Sequence, residues 1–158
     1  MFALVVLIAL PFVWCGMIVA ISFIETPLKF RAPGMTHALG VGVGRLVFKV
    51  LNRVEAALAA AMIIAWVFSA QNVPPVAGAL LILAMVALAS QLLVLRPAMA
   101  ARTKALAGSA MKNDGGAPVK GNVASSTHIA YIGAELVKVV ALPIAGAGIV
   151  LNVITLGS

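Results

Sequence analysis

Four apolar runs, at residues 1–24, 54–70, 76–95 and 139–156, each approach the ~20 residues that cross a hydrocarbon core as helix. The expected fold class is all-α: a polytopic membrane protein, a four-transmembrane-helix bundle forming a single domain over 1–158. Expected helices run over about 1–25, 44–70, 75–96 and 127–156, with connections at 26–43 and 97–126. Lys29, Arg31, Arg45, Lys49, Arg53, Arg96, Arg102, Lys104, Lys112, Lys120 and Lys138 all fall on one side of this topology. The other side, made of the N-terminus, residues 71–75 and the tail after 156, carries no charged side chain. The positive-inside rule then places both connections in the cytoplasm and both termini outside a bacterial-type inner (plasma) membrane.

Charged residues make up only 9% of the chain, against about 25% in a soluble domain. The net charge of +7 raises nucleic acid as a partner, but basic loops beside membrane helices account for it. The expected partner is a lipid bilayer with anionic headgroups, and no nucleic acid. Met1-Phe2-Ala3 lacks the positive region of a signal peptide, and the apolar run behind it is too long for one. Cys15 is the only cysteine, which excludes an intrachain disulfide and dithiol redox chemistry.

Local signals punctuate the helices. The first helix is expected to end near Glu25-Thr26, with Pro27 in the first turn of a short new segment that Thr26 caps, and Ala32-Pro33-Gly34 reads as a turn. Gly40-Val41-Gly42-Val43-Gly44 lacks the preceding strand of a dinucleotide loop and reads as loose backbone and close packing at a helix entrance. Residues 97–111 read as an exposed helix broken at 113–116, and Ser125-Ser126-Thr127 as an N-cap for the fourth helix. Pro143 is expected to free a backbone carbonyl one turn earlier. Ala56 and Ala60, with Ala57 and Ala61, form small faces suited to close helix contact, in a homo-oligomer or a larger membrane complex.

Two polar stripes carry the candidate site. His128, Tyr131, Glu135 and Lys138 follow steps of three, four and three, placing them on one helix face. Arg45, Lys49, Asn52 and Glu55 follow steps of four, three and three on the second helix. Glu25, Lys29 and Gln91 belong to the same layer. These groups converge on the cytoplasmic end as a cavity for ligand binding. Ionisable groups inside hydrocarbon are costly and mark substrate or ion pathways. A competing reading has the helices overhang the membrane with solvated stripes, and another has the charges pair as a purely structural network. No two of His37, His128, Glu25, Glu55 and Glu135 share the Glu-x-x-His spacing of bundle di-iron sites, and the methionines show no copper-binding repeat. No metal site is expected, and no residue pattern names a cofactor or a catalytic nucleophile.

Several short matches resemble one family. Phe23-Ile24 through Phe30-Arg31-Ala32-Pro33, Gly44-Arg45-Leu46-Val47-Phe48, Arg96-Pro97 with Arg102-Thr103, and His128 opening the last helix are similar to the transmembrane protein 205 family and its bacterial relatives. The resemblance implies a four-helix membrane bundle, and one family member is associated with resistance to platinum drugs. Membrane oxygenases acting on anthrones and copper-resistance membrane proteins have a similar layout. Glu135 and Lys138 depart from the family pattern. Arg45 and Asn52-Arg53-Val54-Glu55 resemble the Asn-x-x-Glu of membrane glutathione-using eicosanoid enzymes, although the long third connection and the last helix do not match them. The leading expectation is an integral membrane protein that binds or translocates a small anionic or amphipathic compound at the cytoplasmic side. The alternatives are an oxidoreductase or oxygenase using His128, Tyr131 and Glu135, or an accessory subunit.

Overall fold

The computed structural model describes residues 1–95, 97 and 124–157, with side chains at all of these except 37, 38, 41, 124–128, 156 and 157. The expectations placed on Arg96, Arg102, Lys104, Lys112, Lys120, on a helix over 97–111 and on its break at 113–116 lie outside the described residues, as do the side chains of His37 and His128.

Four helical segments have the length and hydropathy of membrane spans: Phe2–Lys29, Gly42–Phe68, Pro75–Leu95 and Ile129–Thr155. The first is the most apolar, with hydropathy 2.8, and the second the least, at 1.6, because the second holds more charged residues than any other span. No strand occurs among the described residues. The fold is all-α, a bundle of four membrane-length helices.

The first span is α1 (Phe2–Ile18), a π-helical stretch (Val19–Glu25) and the short α2 (Thr26–Lys29) in one continuous rod. The sequence reading ended the first helix near Glu25-Thr26 and opened a short new segment at Pro27; that segment is α2, with Pro27 in its first turn, but it continues the rod and the Thr26 side chain does not cap it. A proline ring normally meets the carbonyl four residues back. The wider π register ahead of Pro27 relieves that clash, and the Thr26 hydroxyl donates to the Ile21 carbonyl at 3.1 Å inside it. Gly34, at φ +80, turns the chain, a left-handed conformation that glycine adopts at little cost.

α3 (His37–Phe68) begins well before the expected residue 44, capped by the Thr36 hydroxyl, which accepts from the Leu39 amide at 3.3 Å. The glycine run is therefore helix, not loose backbone. Its smallness serves packing: a Cβ on Gly40 would overlap the Phe30 ring, and one on Gly44 would lie 3.0 Å from Lys29 Nζ. A 3₁₀ turn (Ala70–Asn72) leads to α4 (Pro75–Ser90), which runs into a second π stretch (Gln91–Leu95). α5 (Ala124–Gly157) starts ahead of Ser125-Ser126-Thr127, so those residues fall in its first turn and do not precede it as a cap.

α5 packs against α4 and α1, α1 also packs against α3, and α3 touches α4 more lightly. The order around the bundle is thus α3, α1, α5, α4, with α3 and α5 facing one another across the centre. Lipid tails are as apolar as the helices, so association depends on close fit and on small residues. The core answers this with Ala59, Ala65, Ala77, Ala84 and Ala145 among Leu7, Trp14, Ile18, Met62, Leu81, Leu88, Leu142 and Ile149. Gly146 brings α5 against α1, where Phe12 and Pro11 occupy the space a side chain would need. Large apolar residues such as Ile64, Phe68, Ile82, Val86, Ile144 and Leu151 face outward, as a lipid-facing surface requires. Asn152 donates to the Asn72 carbonyl at 3.2 Å and ties α5 to the turn at the uncharged end.

Pro143 lies inside α5. It has no amide hydrogen to offer the Val139 carbonyl one turn earlier. That carbonyl accepts instead from the Cys15 thiol of α1, at 3.6 Å.

Candidate functional site

The apolar core fills the half of the bundle near the 3₁₀ turn, and a buried polar layer lies beyond it toward the basic connections. The layer takes Asn52 and Glu55 from α3, Gln91 from the start of the π stretch after α4, and Tyr131, Glu135 and Lys138 from α5. All are buried, and Glu55, Gln91 and Lys138 are wholly inaccessible. Glu55 sits at the midpoint of the span Gly42–Phe68. The charges are thus within the bundle, and neither solvated nor overhanging.

The connections are specific. Lys138 Nζ donates to Glu55 Oε1 across the centre and to Gln91 Oε1 at 2.8 Å, and lies 3.3 Å from Glu135 Oε2. Gln91 Nε2 donates to Glu135 Oε1 at 2.9 Å and to the Tyr131 carbonyl at 3.4 Å. The Tyr131 hydroxyl donates to Asn52 Oδ1 at 2.9 Å, and Trp14 Nε1 of α1 donates to Glu55 Oε1 at 2.9 Å. Every helix of the bundle therefore contributes a side chain. The cluster holds two carboxylates and one ammonium. Glu55 Oε2, Glu135 Oε2, Asn52 Nδ2 and, nearby on the first span, Ser22 Oγ are buried without a hydrogen-bond partner in the protein. Such orphans are few in native structures and call for an explanation.

A cavity of about 110 Å³ adjoins the cluster, lined by Ser22, Phe23, Thr26, Phe48, Tyr131, Ile132 and Glu135. Phe23 and Ile132 are also exposed on the outside of the bundle, so the cavity reaches the lipid-facing surface. Phe23 is shared with an outer groove of about 270 Å³ whose other walls are Ile24, Pro27, Leu28 and Arg31. Phe48 stands between two charged zones. Its ring meets Tyr131 edge-on at 5.5 Å, and Lys29 Nζ lies 5.7 Å from its centroid on the other side.

The residues expected to form the site divide. Asn52, Glu55, Tyr131, Glu135 and Lys138 come together with Gln91. Arg45 and Lys49 belong to the exposed surface of α3, while the packed face of the same stretch is formed by Gly40 and Gly44 against Phe30 and Lys29 and by Phe48 against Tyr131. Glu25 pairs with Lys29 at 3.3 Å on its own rod, a separate ion pair near the basic end. Lys138, counted above among the basic residues of one membrane side as well as in the stripe, lies inside the bundle and does not act as a loop charge. Trp14 and Ser22 were missed by the sequence reading. The buried face of α1, Leu7, Pro11, Trp14 and Ile18, follows steps of four, three and four, and a buried indole N–H requires an acceptor.

Tyr131→Phe should cost about 0.6 kcal/mol, and at most about 1.7, the range for interhelical hydrogen bonds in membranes. Equilibrium unfolding in mixed detergent micelles measures it. The ring contact with Phe48 survives the change, so a much larger loss would mean that the hydroxyl does more than hold Asn52.

No family model, curated protein or solved structure matches this chain.

Proposed function

We propose that this protein binds a small amphipathic compound at the buried polar layer and moves it across or out of the membrane. The observation that carries this reading is the cavity that runs from the lipid-facing surface at Phe23 to the Glu135 carboxyl. Its volume is well below the ~300 Å³ of a typical ligand pocket, which suits a polar headgroup whose apolar part stays in the outer groove or in lipid. A buried ion network is weak as a stabilising device, since apolar side chains of the same volume serve as well or better. That favours a working role for this one. Two carboxylates against one ammonium argue for a neutral or cationic headgroup inside, in place of the anionic one expected from the basic loops. Among the described residues lining the entry route, Arg31 at the groove is the one that attracts anions.

Mass spectrometry of small molecules co-purified with the intact protein tests the reading. Wild type should carry one enriched compound, and Ser22→Leu, which fills the cavity, should lose it while retaining the helical signal. Identical extracts from the two proteins would overturn it.

The proposed orientation has both termini outside and the basic connections in the cytoplasm. In a Cys15→Ser background, Gln71→Cys should react with a membrane-impermeant thiol reagent added to whole cells, and Ala32→Cys should not. The opposite pattern would reverse the topology.

Self-association through α3 is a further part of the proposal. Ala56, Ala57 and Ala60 are exposed on the bundle surface, where small side chains permit close approach of a second helix. Ala56→Leu with Ala60→Leu should lower the mass of the detergent-solubilised particle toward that of one chain.

A further inference from the structure

The hydrogen bonds in the polar layer are unevenly shared between its two carboxylates. Glu55 Oε1 accepts from both Trp14 and Lys138, so its charge is met by an indole N–H and an ammonium. Glu135 Oε1 accepts from Gln91, but Glu135 Oε2 accepts no hydrogen bond, and its nearest cation, Lys138 Nζ, is 3.3 Å away. Glu135 is also the carboxylate on the cavity wall. Glu55 Oε2 is likewise without a hydrogen bond, but Glu55 does not line the cavity, so an unsatisfied carboxylate oxygen and the route from outside meet at Glu135.

We propose that Glu135 Oε2 is an exchangeable proton site, filled and emptied through the cavity lined by Ser22, Thr26 and Tyr131. A hydronium ion entering from the headgroup end, along the outer groove that Arg31 lines and that shares Phe23 with the cavity, gives its proton to the carboxylate, forming the O–H bond and leaving a water molecule. The reverse step returns the proton to water. The protonated cluster balances one carboxylate, on Glu55, against one ammonium, on Lys138, and is neutral; the deprotonated cluster carries one uncompensated negative charge. Inside a membrane bundle that difference is large enough to favour different helix arrangements. Among the described residues, the ionisable groups that meet Glu135 are Lys138 and Tyr131 on its own helix and Glu55 on α3. The other elements meet it with Gln91, and across the cavity with Ser22, Thr26 and Phe48.

The geometry favours a proton over a metal cation. The Lys138 ammonium already occupies the place between the two carboxylates and repels any second cation there. No group of three or more His, Cys, Asp or Glu converges among the described residues. The inference rests on the polar layer being the working site and does not require that any compound move. Under the transport reading, this proton is the one coupled to movement.

The chain contains three glutamates, Glu25, Glu55 and Glu135, so ¹³C-glutamate labelling of the full protein in lipid nanodiscs yields three side-chain carboxyl signals. The signal lost in Glu135→Gln should move between the ionised and neutral positions as pH is varied over the range in which the fold is retained. Added sodium chloride at fixed pH should leave it unchanged. A Glu135 carboxyl that stays in one state throughout would overturn the proposal. So would a sodium-dependent shift, which would assign the site to a metal cation. If Glu135→Gln does not fold, the wild-type signal is assigned through its contact with the Gln91 side-chain amide. A titrating Glu135 in a protein that co-purifies no compound would sustain this inference and overturn the transport reading alone.

Discussion

Lys138→Met is expected to be the most damaging single substitution in the polar layer. It removes the only cation from a cluster that contains two buried carboxylates, leaving Glu55 and Glu135 without their countercharge. Breaking a buried pair in this way costs about 3–5 kcal/mol, enough to unfold a domain of ordinary marginal stability. The protein should reach the membrane in low yield and unfold at much lower denaturant in mixed micelles. Adding Glu55→Gln and Glu135→Gln to the Lys138→Met background should restore much of the loss, since the site then carries no charge. A Lys138→Met protein as stable as wild type would mean that the ammonium is solvated and the layer is not closed.

The second large effect is expected at Gly146. A Cβ there would lie 2.8 Å from Phe12 Cε2, 2.9 Å from Cζ and 3.3 Å from the Pro11 Cβ. Phe12 is half-exposed and can swing toward lipid, so Gly146→Ala should be mild. Gly146→Leu cannot be accommodated by that motion, because Pro11 is rigid and buried. It should force α1 and α5 apart and cost about 1–3 kcal/mol, the usual range for overpacking. Separation there would also lengthen the Cys15 contact with Val139, so the Cys15 thiol should react faster with a small alkylating reagent than in wild type. An unchanged unfolding midpoint in Gly146→Leu would show that the two helices do not rely on this close approach.

The sequence made the four helices and the α5 stripe legible for the same reason. Runs of about twenty apolar residues have few alternatives in lipid, and polar residues at steps of three and four stand out against them. Tyr131, Glu135 and Lys138 could be placed on one face before any coordinates. Steps of three and four tolerate a wide stripe, however, so Arg45 and Lys49 shared one with Asn52 and Glu55 although the packed face at their level is that of Gly44 and Phe48. Trp14 was hidden for the opposite reason. In a membrane helix the lipid-facing residues are as apolar as the core, so the Leu7–Trp14–Ile18 face has no contrast against its surroundings. The early start of α3 was obscured by helix propensity. Glycine is unfavourable in helices by about 1 kcal/mol relative to alanine, and the sequence does not show that Phe30 and Lys29 lie where Cβ atoms at Gly40 and Gly44 would be. The cavity depends on side chains from three separate elements and has no local signature.

The bond between Lys138 and Glu55 joins residues 83 positions apart, and that separation has a consequence for biosynthesis. Ribosomes extend chains at about 5–20 residues per second, so Glu55 enters the bilayer on the order of ten seconds before its ammonium partner exists. During that interval a newly inserted acid sits at mid-membrane with no countercharge. Trp14, synthesised earlier and already in the membrane, is the one donor of the finished cluster that is on hand to hold it. Trp14→Phe, which removes the indole N–H from Glu55, is therefore expected to lower the yield of inserted protein by more than it lowers the stability of the finished bundle.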